Sequence, residues 1–166
     1  MSERENKMKT LVVYYSLEGN TKRIAELIHQ KYEGDLLELI PEKENPKEGF
    51  GKYFWGGKSV IFKESPQLIS VLPDPKNYDL IFIGSPLWAG SYAPSVHTLL
   101  NTVSFEGKKV ALFICHSGGS TISTFNNFKK QLPTSNIVSF HGFRDPLAQD
   151  PKAVDQELLA WLSELK

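Results

Sequence analysis

Ser16-Leu17-Glu18-Gly19-Asn20-Thr21 sets hydroxyl and amide donors around a glycine, between a short apolar run and a helical pattern. A helix that starts here leaves backbone N–H groups unpaired and carries a partial positive charge, and both favour a phosphate. Ser16, Asn20 and Thr21 add side-chain donors, and Gly19 lets the backbone turn tightly against a ligand. The plainer role for the same residues is a helix cap supplied by Asn20 or Thr21. A Walker loop is excluded because G-x-x-x-x-G-K-[ST] is missing, and no G-x-G-x-x-G follows the strand. Two further loops carry chemistry. Ser85-Pro86-Leu87-Trp88-Ala89-Gly90 offers a flat aromatic and close-approaching backbone, and His116-Ser117-Gly118-Gly119-Ser120 offers glycine-rich backbone with hydroxyls. The three loops together suit a ligand with a phosphate at one end and a planar, polar-edged ring at the other.

The elements that must position these loops follow from the apolar pattern. Leu11 to Tyr15 reads as a first strand, and Ile24, Ala25, Ile28 and Tyr32 share one face of a helix. Asp35 to Ile40 reads as a second strand ended by Pro41. From Glu42 to Asp79 the periodicity is poor and prolines and glycines punctuate the chain. That stretch holds Phe50, Tyr53, Phe54, Trp55 and Phe62, and Ser59 to Lys63 reads as a short helix. Leu80 to Ile83 and Val110 to Cys115 are continuously apolar, as central parallel strands buried on both faces are. Pro94 suits the first turn of a helix with Val96, Leu99, Leu100 and Val103 on its apolar face. Ser123 to Leu132 is expected as a helix and Ile137 to Phe140 as a fifth strand. Asp150 and Pro151 open a last helix whose buried stripe is Val154, Leu158, Trp161, Leu162 and Leu165. This alternation predicts an α/β fold, a doubly wound five-stranded parallel sheet with helices on both faces. In a 2-1-3-4-5 strand order the first, third and fourth strands are neighbours. Their three loops then converge beyond the carboxyl ends, where such sheets bind ligands.

Composition narrows the class. The chain has 166 residues, 40% hydrophobic and 23% charged, and reads as one globular domain over 8–166 after a seven-residue polar tail. Lys plus Arg and Asp plus Glu both number 19, so nothing in the charge favours nucleic acid or an anionic membrane. No apolar run is long enough to span a bilayer. Cys115 is the single cysteine, which excludes an intramolecular disulfide and a cysteine-rich metal site, and a cytoplasmic location is expected. His29, His97 and His141 lack metal-ligand spacing.

The loops S-L-E-G-N-T, G-S-P-L-W-A-G and C-H-S-G-G-S, in that order, resemble those of the flavodoxin family, and the resemblance covers Met8 to Lys166. No insertion interrupts the fifth-strand region, so the chain is similar to the short-chain type. The resemblance implies FMN as cofactor. It implies that Ser16, Gly19, Asn20 and Thr21 hold the phosphate, with Leu17 and Glu18 contributing backbone and Lys22 and Arg23 solvated. It also implies that Trp88 lies against the flavin ring, with Ser85, Pro86, Leu87 and Ala89 around it. Ser117, Gly118 and Gly119 would supply backbone groups to the ring's pyrimidine edge, and the segment from Trp55 to Gly57 could cover it. Either Gly56-Gly57 or Ala89-Gly90 is a candidate for a peptide that responds to the flavin's redox state.

The function implied is electron transfer between redox partner proteins, with an NAD(P)H-dependent quinone or FMN reductase as the alternative. Zero net charge sits poorly with docking through a broad acidic face. A phosphoacceptor receiver would need paired acids after the first strand and an Asp after the third, and Ser16 and Ser85 stand there. His116 and Ser117 lack the G-x-S-x-G elbow of a hydrolase. A protein-binding module that has lost FMN is disfavoured by the intact first loop.

Overall fold

The strand Thr10–Tyr14, β1, is buried along its whole length, and its side chains divide between two cores. Leu11 and Val13, with Tyr15 beyond the strand, face one core, while Val12 and Tyr14 face the other. The computed structural model describes residues 7–43 and 65–165. The expected tail therefore lies almost wholly outside the described residues. So do the helix expected at 59–63, the aromatics Phe50, Tyr53, Phe54, Trp55 and Phe62, and Gly56-Gly57.

From β1 the chain runs through α1 (Asn20–Tyr32), β2 (Asp35–Glu38), a 3-10 turn (Pro75–Asn77), β3 (Leu80–Trp88) and β4 (Ser91–Tyr92). It continues through α2 (Pro94–Thr102), β5 (Lys109–His116), α3 (Ile122–Gln131), β6 (Asn136–Arg144), a second 3-10 turn (Pro146–Ala148) and α4 (Pro151–Ser163). The parallel strands stand in the order β2-β1-β3-β5-β6, which is the expected 2-1-3-4-5 order of five parallel strands. A sixth strand, β4, was not expected; it folds back antiparallel on the end of β3, pairing Trp88 with Ser91.

The two faces of the sheet are packed differently. Ile81, Ile83, Val110, Leu112 and Ile114 meet Val96, Leu99 and Leu100 of α2 and Phe128 of α3 on one side. Phe82, Ala111, Phe113 and Phe143 meet Ile24, Ala25 and Ile28 of α1 and Val154, Leu158 and Trp161 of α4 on the other. Full burial of each such side chain is worth about 1.5–3 kcal/mol, so both layers are needed. Asp150 caps α4 by accepting the Lys152 N–H, with Pro151 in the first turn, as its sequence predicts.

Two strands are longer than their apolar runs. β3 continues through Gly84-Ser85-Pro86-Leu87-Trp88, read from the sequence as a loop, although Pro86 breaks most strands. The Gly84 carbonyl accepts from Tyr15 N, so Pro86, two residues on, turns its missing N–H to the same side. β1 has ended there, and no ladder bond is lost. β6 continues to Arg144 rather than Phe140, staying in register with β5 to its end.

Gly84 and Phe113 are paired across β3 and β5, and the aromatic ring lies where residue 84 would carry a side chain. A Cβ built there would stand 2.1 Å from Phe113 Cζ. Gly84→Ala should therefore cost roughly 1–3 kcal/mol of stability by overpacking. Urea unfolding measures it, and Gly84→Ala with Phe113→Leu should recover part of the loss. An unchanged unfolding midpoint for the single variant would contradict this packing.

Candidate functional site

The chain segments leaving β1, β3, β5 and β6 meet at one rim and enclose a cleft of about 290 Å³. That rim is where every parallel strand presents its carboxyl end.

The first wall is the loop between β1 and α1. Gly19 is the residue before α1 and has φ of 101°, a left-handed conformation open to glycine. It supplies no side-chain cap. Ser16 does that work, its Oγ accepting the N–H groups of Gly19 at 3.1 Å and Lys22 at 3.2 Å. Arg23 N donates to the Gly19 carbonyl. The amides of Asn20 and Thr21 then have no acceptor among the described residues. They lie in the first turn of α1, beside the cleft that both residues line. Asn20 Oδ1 accepts from Leu147 N at 3.0 Å, tying this loop to the turn after β6.

The second wall is the end of β3, with Pro86, Leu87, Trp88 and Ala89 facing the cleft. Trp88 is half-buried and meets Tyr15 edge to face at 5.6 Å. The third wall is the end of β5, where Cys115, His116 and Ser117 line the cleft. His116 Nδ1 accepts the Gly118 N–H at 3.1 Å, which fixes the neutral ring's proton on Nε2. The Ser117 hydroxyl donates to Asp145 Oδ1 at 2.7 Å. Asp145 closes the cleft from the end of β6, with φ of 39° and ψ of 57°. A non-glycine residue there costs about 1–2 kcal/mol, and such strain gathers at functional sites.

Electrostatically the cleft is short of cations. Among the described residues no Lys or Arg lines it, whereas Glu18 and Asp145 do. Lys22 turns away to Glu38 at 3.8 Å and Arg23 to Asp155 at 3.7 Å. No cluster of His, Cys, Asp and Glu suited to a metal occurs among the described residues.

The structure brings together Ser16, Leu17, Glu18, Asn20, Thr21, Pro86, Leu87, Trp88, Ala89 and Ser117 of the residues expected from the sequence. Gly19, Gly118 and Gly119 lie in the wall loops without lining the cleft. Ser85 is wholly buried beneath it, its Oγ accepting the Ala93 N–H at 2.8 Å and donating to the Pro86 carbonyl. Its place is at the junction of β3 and α2. Sequence reasoning missed Cys115, His116 and Asp145 as lining residues. Cys115 and His116 end the buried strand whose loop was singled out. Asp145 follows a strand expected to end at Phe140, and nothing in the sequence points to it.

A parallel sheet covered by helices on both faces, with an anion-ready helix N-terminus at its carboxyl rim, defines a flavodoxin-like α/β protein. The flavodoxin family model matches residues 9–161, and the chain belongs to the flavodoxin family. It is 27% identical over 157 residues to the flavodoxin-like domain-containing protein BilS of Clostridioides difficile, covering 92% of this chain and 74% of that protein. It is 27% identical to a flavoprotein of Lactobacillus acidophilus whose crystal structure contains FMN. That superposition has a TM-score of 0.73 and covers 93% of this chain and 99% of the other. The apo-form of the Lactobacillus acidophilus flavoprotein, solved by NMR, superposes with a TM-score of 0.61 at 25% identity, over 86% of this chain and 96% of that one.

Burial pushes the Cys115 thiol up from 9.0 to about 12, against the Thr21 hydroxyl, which favours the thiolate, and with Glu157 and Asp145 adding to the rise. The unfolded thiol ionises first as pH climbs. Its stabilising contribution is therefore intact below about pH 9 and is lost as pH rises toward 12. Between about pH 8 and pH 11 wild type should lose roughly 2 kcal/mol more unfolding free energy than Cys115→Ala. Parallel pH curves for the two proteins would contradict the burial of this thiol.

Proposed function

We propose that residues 8–166 form one FMN-binding domain that carries electrons between redox partner proteins. The observation that carries this reading is the pair of amides at Asn20 and Thr21. Among the described residues they have no acceptor, and Asn20 and Thr21 line the cleft at the start of α1 together with Trp88. The donor set fits a phosphate monoester. Backbone N–H groups and the helix dipole stabilise its charge, with the Ser16, Asn20 and Thr21 side chains beside them. No lysine or arginine is needed, and none among the described residues lines the cleft.

The remaining residues divide the flavin between them. Gly19, Leu17 and Glu18 shape the phosphate loop, while Pro86, Leu87, Trp88 and Ala89 flank the ring. Ser117 lies on the side of its polar edge, with the Gly118 and Gly119 backbone in the loop behind it, and Ser85 positions the second wall through Ala93. The Asp145 carboxylate is placed to accept from a ligand hydroxyl as it does from Ser117. When bound, FMN supplies the redox chemistry and the chain tunes it. Asp145 disfavours added negative charge in the cleft, which lowers the reduction potential. A cytoplasmic site of action agrees with the free thiol of Cys115. No helix among the described residues is long and apolar enough to cross a membrane.

The second reading, an NAD(P)H-dependent quinone or FMN reductase, is favoured by the zero net charge, which sits poorly with docking through a broad acidic face. One experiment separates the two. The visible spectrum of the protein is recorded with FMN, then with NADPH and a quinone. Flavin bands that only an external electron donor bleaches are expected for the carrier. Rapid bleaching by NADPH, reversed by the quinone, would establish the reductase, and failure to take up FMN would remove both. Asn20→Ala with Thr21→Val should reduce bound flavin at least about 10-fold while circular dichroism stays unchanged, since each lost hydrogen bond to a charged group is worth about 1.5–3 kcal/mol. Wild-type flavin content in that variant would refute the part of the first-loop assignment that rests on these side chains.

A further inference from the structure

The two-residue turn between β3 and β4 has positive φ at both central positions, 46° at Ala89 and 75° at Gly90. Trp88 and Ser91 pair across it. These values define a type I′ hairpin turn, which normally takes Asn-Gly or Gly-Gly because both central residues must be left-handed. An alanine at the first of them is out of keeping, and its Cβ has a consequence. The related type II′ turn, reached by turning over the central peptide, needs glycine at that first position. Ala89 therefore closes the alternative geometry that a glycine would leave open.

The other limb of the turn is fastened from outside. The Ser123 hydroxyl donates to the Gly90 carbonyl at 2.7 Å, and Asn127 Nδ2 donates to Ser91 Oγ at 3.1 Å. Both side chains belong to the same face of α3, one turn apart. Residue 90 has little room for more, since a Cβ there would stand 3.3 Å from Ser123 Oγ. Neither Ser123 nor Asn127 lines the cleft, whereas Trp88 and Ala89 do. α3 also follows directly from the loop that carries Ser117. One helix thus holds two walls of the cleft at a fixed separation.

We propose that Ser123 and Asn127 are positioning residues that lock the Trp88–Ser91 turn in one geometry, with Ala89 excluding the other, so that the second wall is set before a ligand arrives. The consequence for the ligand rests on the FMN reading; the lock itself does not. Preorganisation of this kind raises affinity by removing an ordering cost from the binding step.

The test uses the full chain and the variants Ser123→Ala, Ser123→Thr and Ala89→Gly. Hydrogen exchange at the Ser91 amide is measured without ligand, and FMN affinity by flavin fluorescence. Ser123→Ala and Ala89→Gly should each speed Ser91 exchange about 5-fold and weaken FMN binding about 3- to 10-fold. The thermal midpoint of the ligand-free protein should stay within about 2 °C. Ser123→Thr, which keeps the hydroxyl, should restore both readouts. Unchanged exchange in Ser123→Ala, or a loss of affinity that Ser123→Thr fails to restore, would overturn the lock. If wild type takes up no FMN while Ser91 exchange responds as expected, the lock stands and the FMN reading falls.

Discussion

The ring of Phe113 resting on the bare Cα of Gly84 is the contact on which the rim of the sheet depends. It lets β3 and β5 stay in parallel register while a large aromatic fills the layer beneath α1 and α4. Phe82, Phe113 and Phe143 all gather around Trp161, at 5.9, 6.4 and 5.8 Å between ring centroids. Trp161 in turn donates its indole N–H to Ser139 at 2.8 Å, so its one polar atom is satisfied inside the layer. One pair further along the same register stand Ser85 with Ile114, then Pro86 with Cys115, where the sheet ends and the cleft begins. The spacing of two cleft walls is thus inherited from the packing directly below them.

Above that floor the walls are also fastened to each other. Asn20 of the first wall accepts from Leu147, Ser117 of the third donates to Asp145, and Asp145 N donates to the His116 carbonyl. Each neutral hydrogen bond adds about 0.5–1.5 kcal/mol, with more where a carboxylate accepts. Together they are of the size needed to hold Asp145 in its left-handed conformation, which costs about 1–2 kcal/mol. The strain at Asp145 and the bonds around it are therefore one feature: a carboxylate carried to the rim by a backbone that would not adopt that shape alone.

Much of this was legible in the sequence, for reasons that also mark where legibility stops. Continuous apolar runs announced the buried strands, and the 3.6-residue spacing in α1 and α4 announced the faces they bury. The first loop was readable because its chemistry is local: donors, a glycine and a helix start lie within a few residues. β4 and the extension of β3 were not readable, because Pro86 is tolerated only through the early end of β1, a fact about a strand far away in sequence. The full length of β6 was hidden because it is an edge strand whose half-exposed residues lack a clean pattern. With its end misplaced, Asp145 disappeared from view. Ser123 stayed silent for a similar reason, since its partner at Gly90 belongs to a different loop.

The charge pattern of the cleft gives its two ends separate tasks under the FMN reading. At the α1 end the amides of Asn20 and Thr21 and the helix dipole attract an anion without any cation, while Lys22 and Arg23 are engaged by Glu38 and Asp155. At the far wall stands Asp145, which opposes negative charge. Phosphate binding does not change with the redox state of the ring, so the first end contributes equally to every state and sets affinity. That carboxylate acts differently on ring states that differ in charge, so it sets potential. A substitution at Ser16, Asn20 or Thr21 should then move affinity alone, and one at Asp145 should move both, because Asp145 also holds Ser117 in place. Redox titration of Asp145→Asn beside Asn20→Ala separates the two, and a shift of potential in Asn20→Ala would show that the ends are not independent.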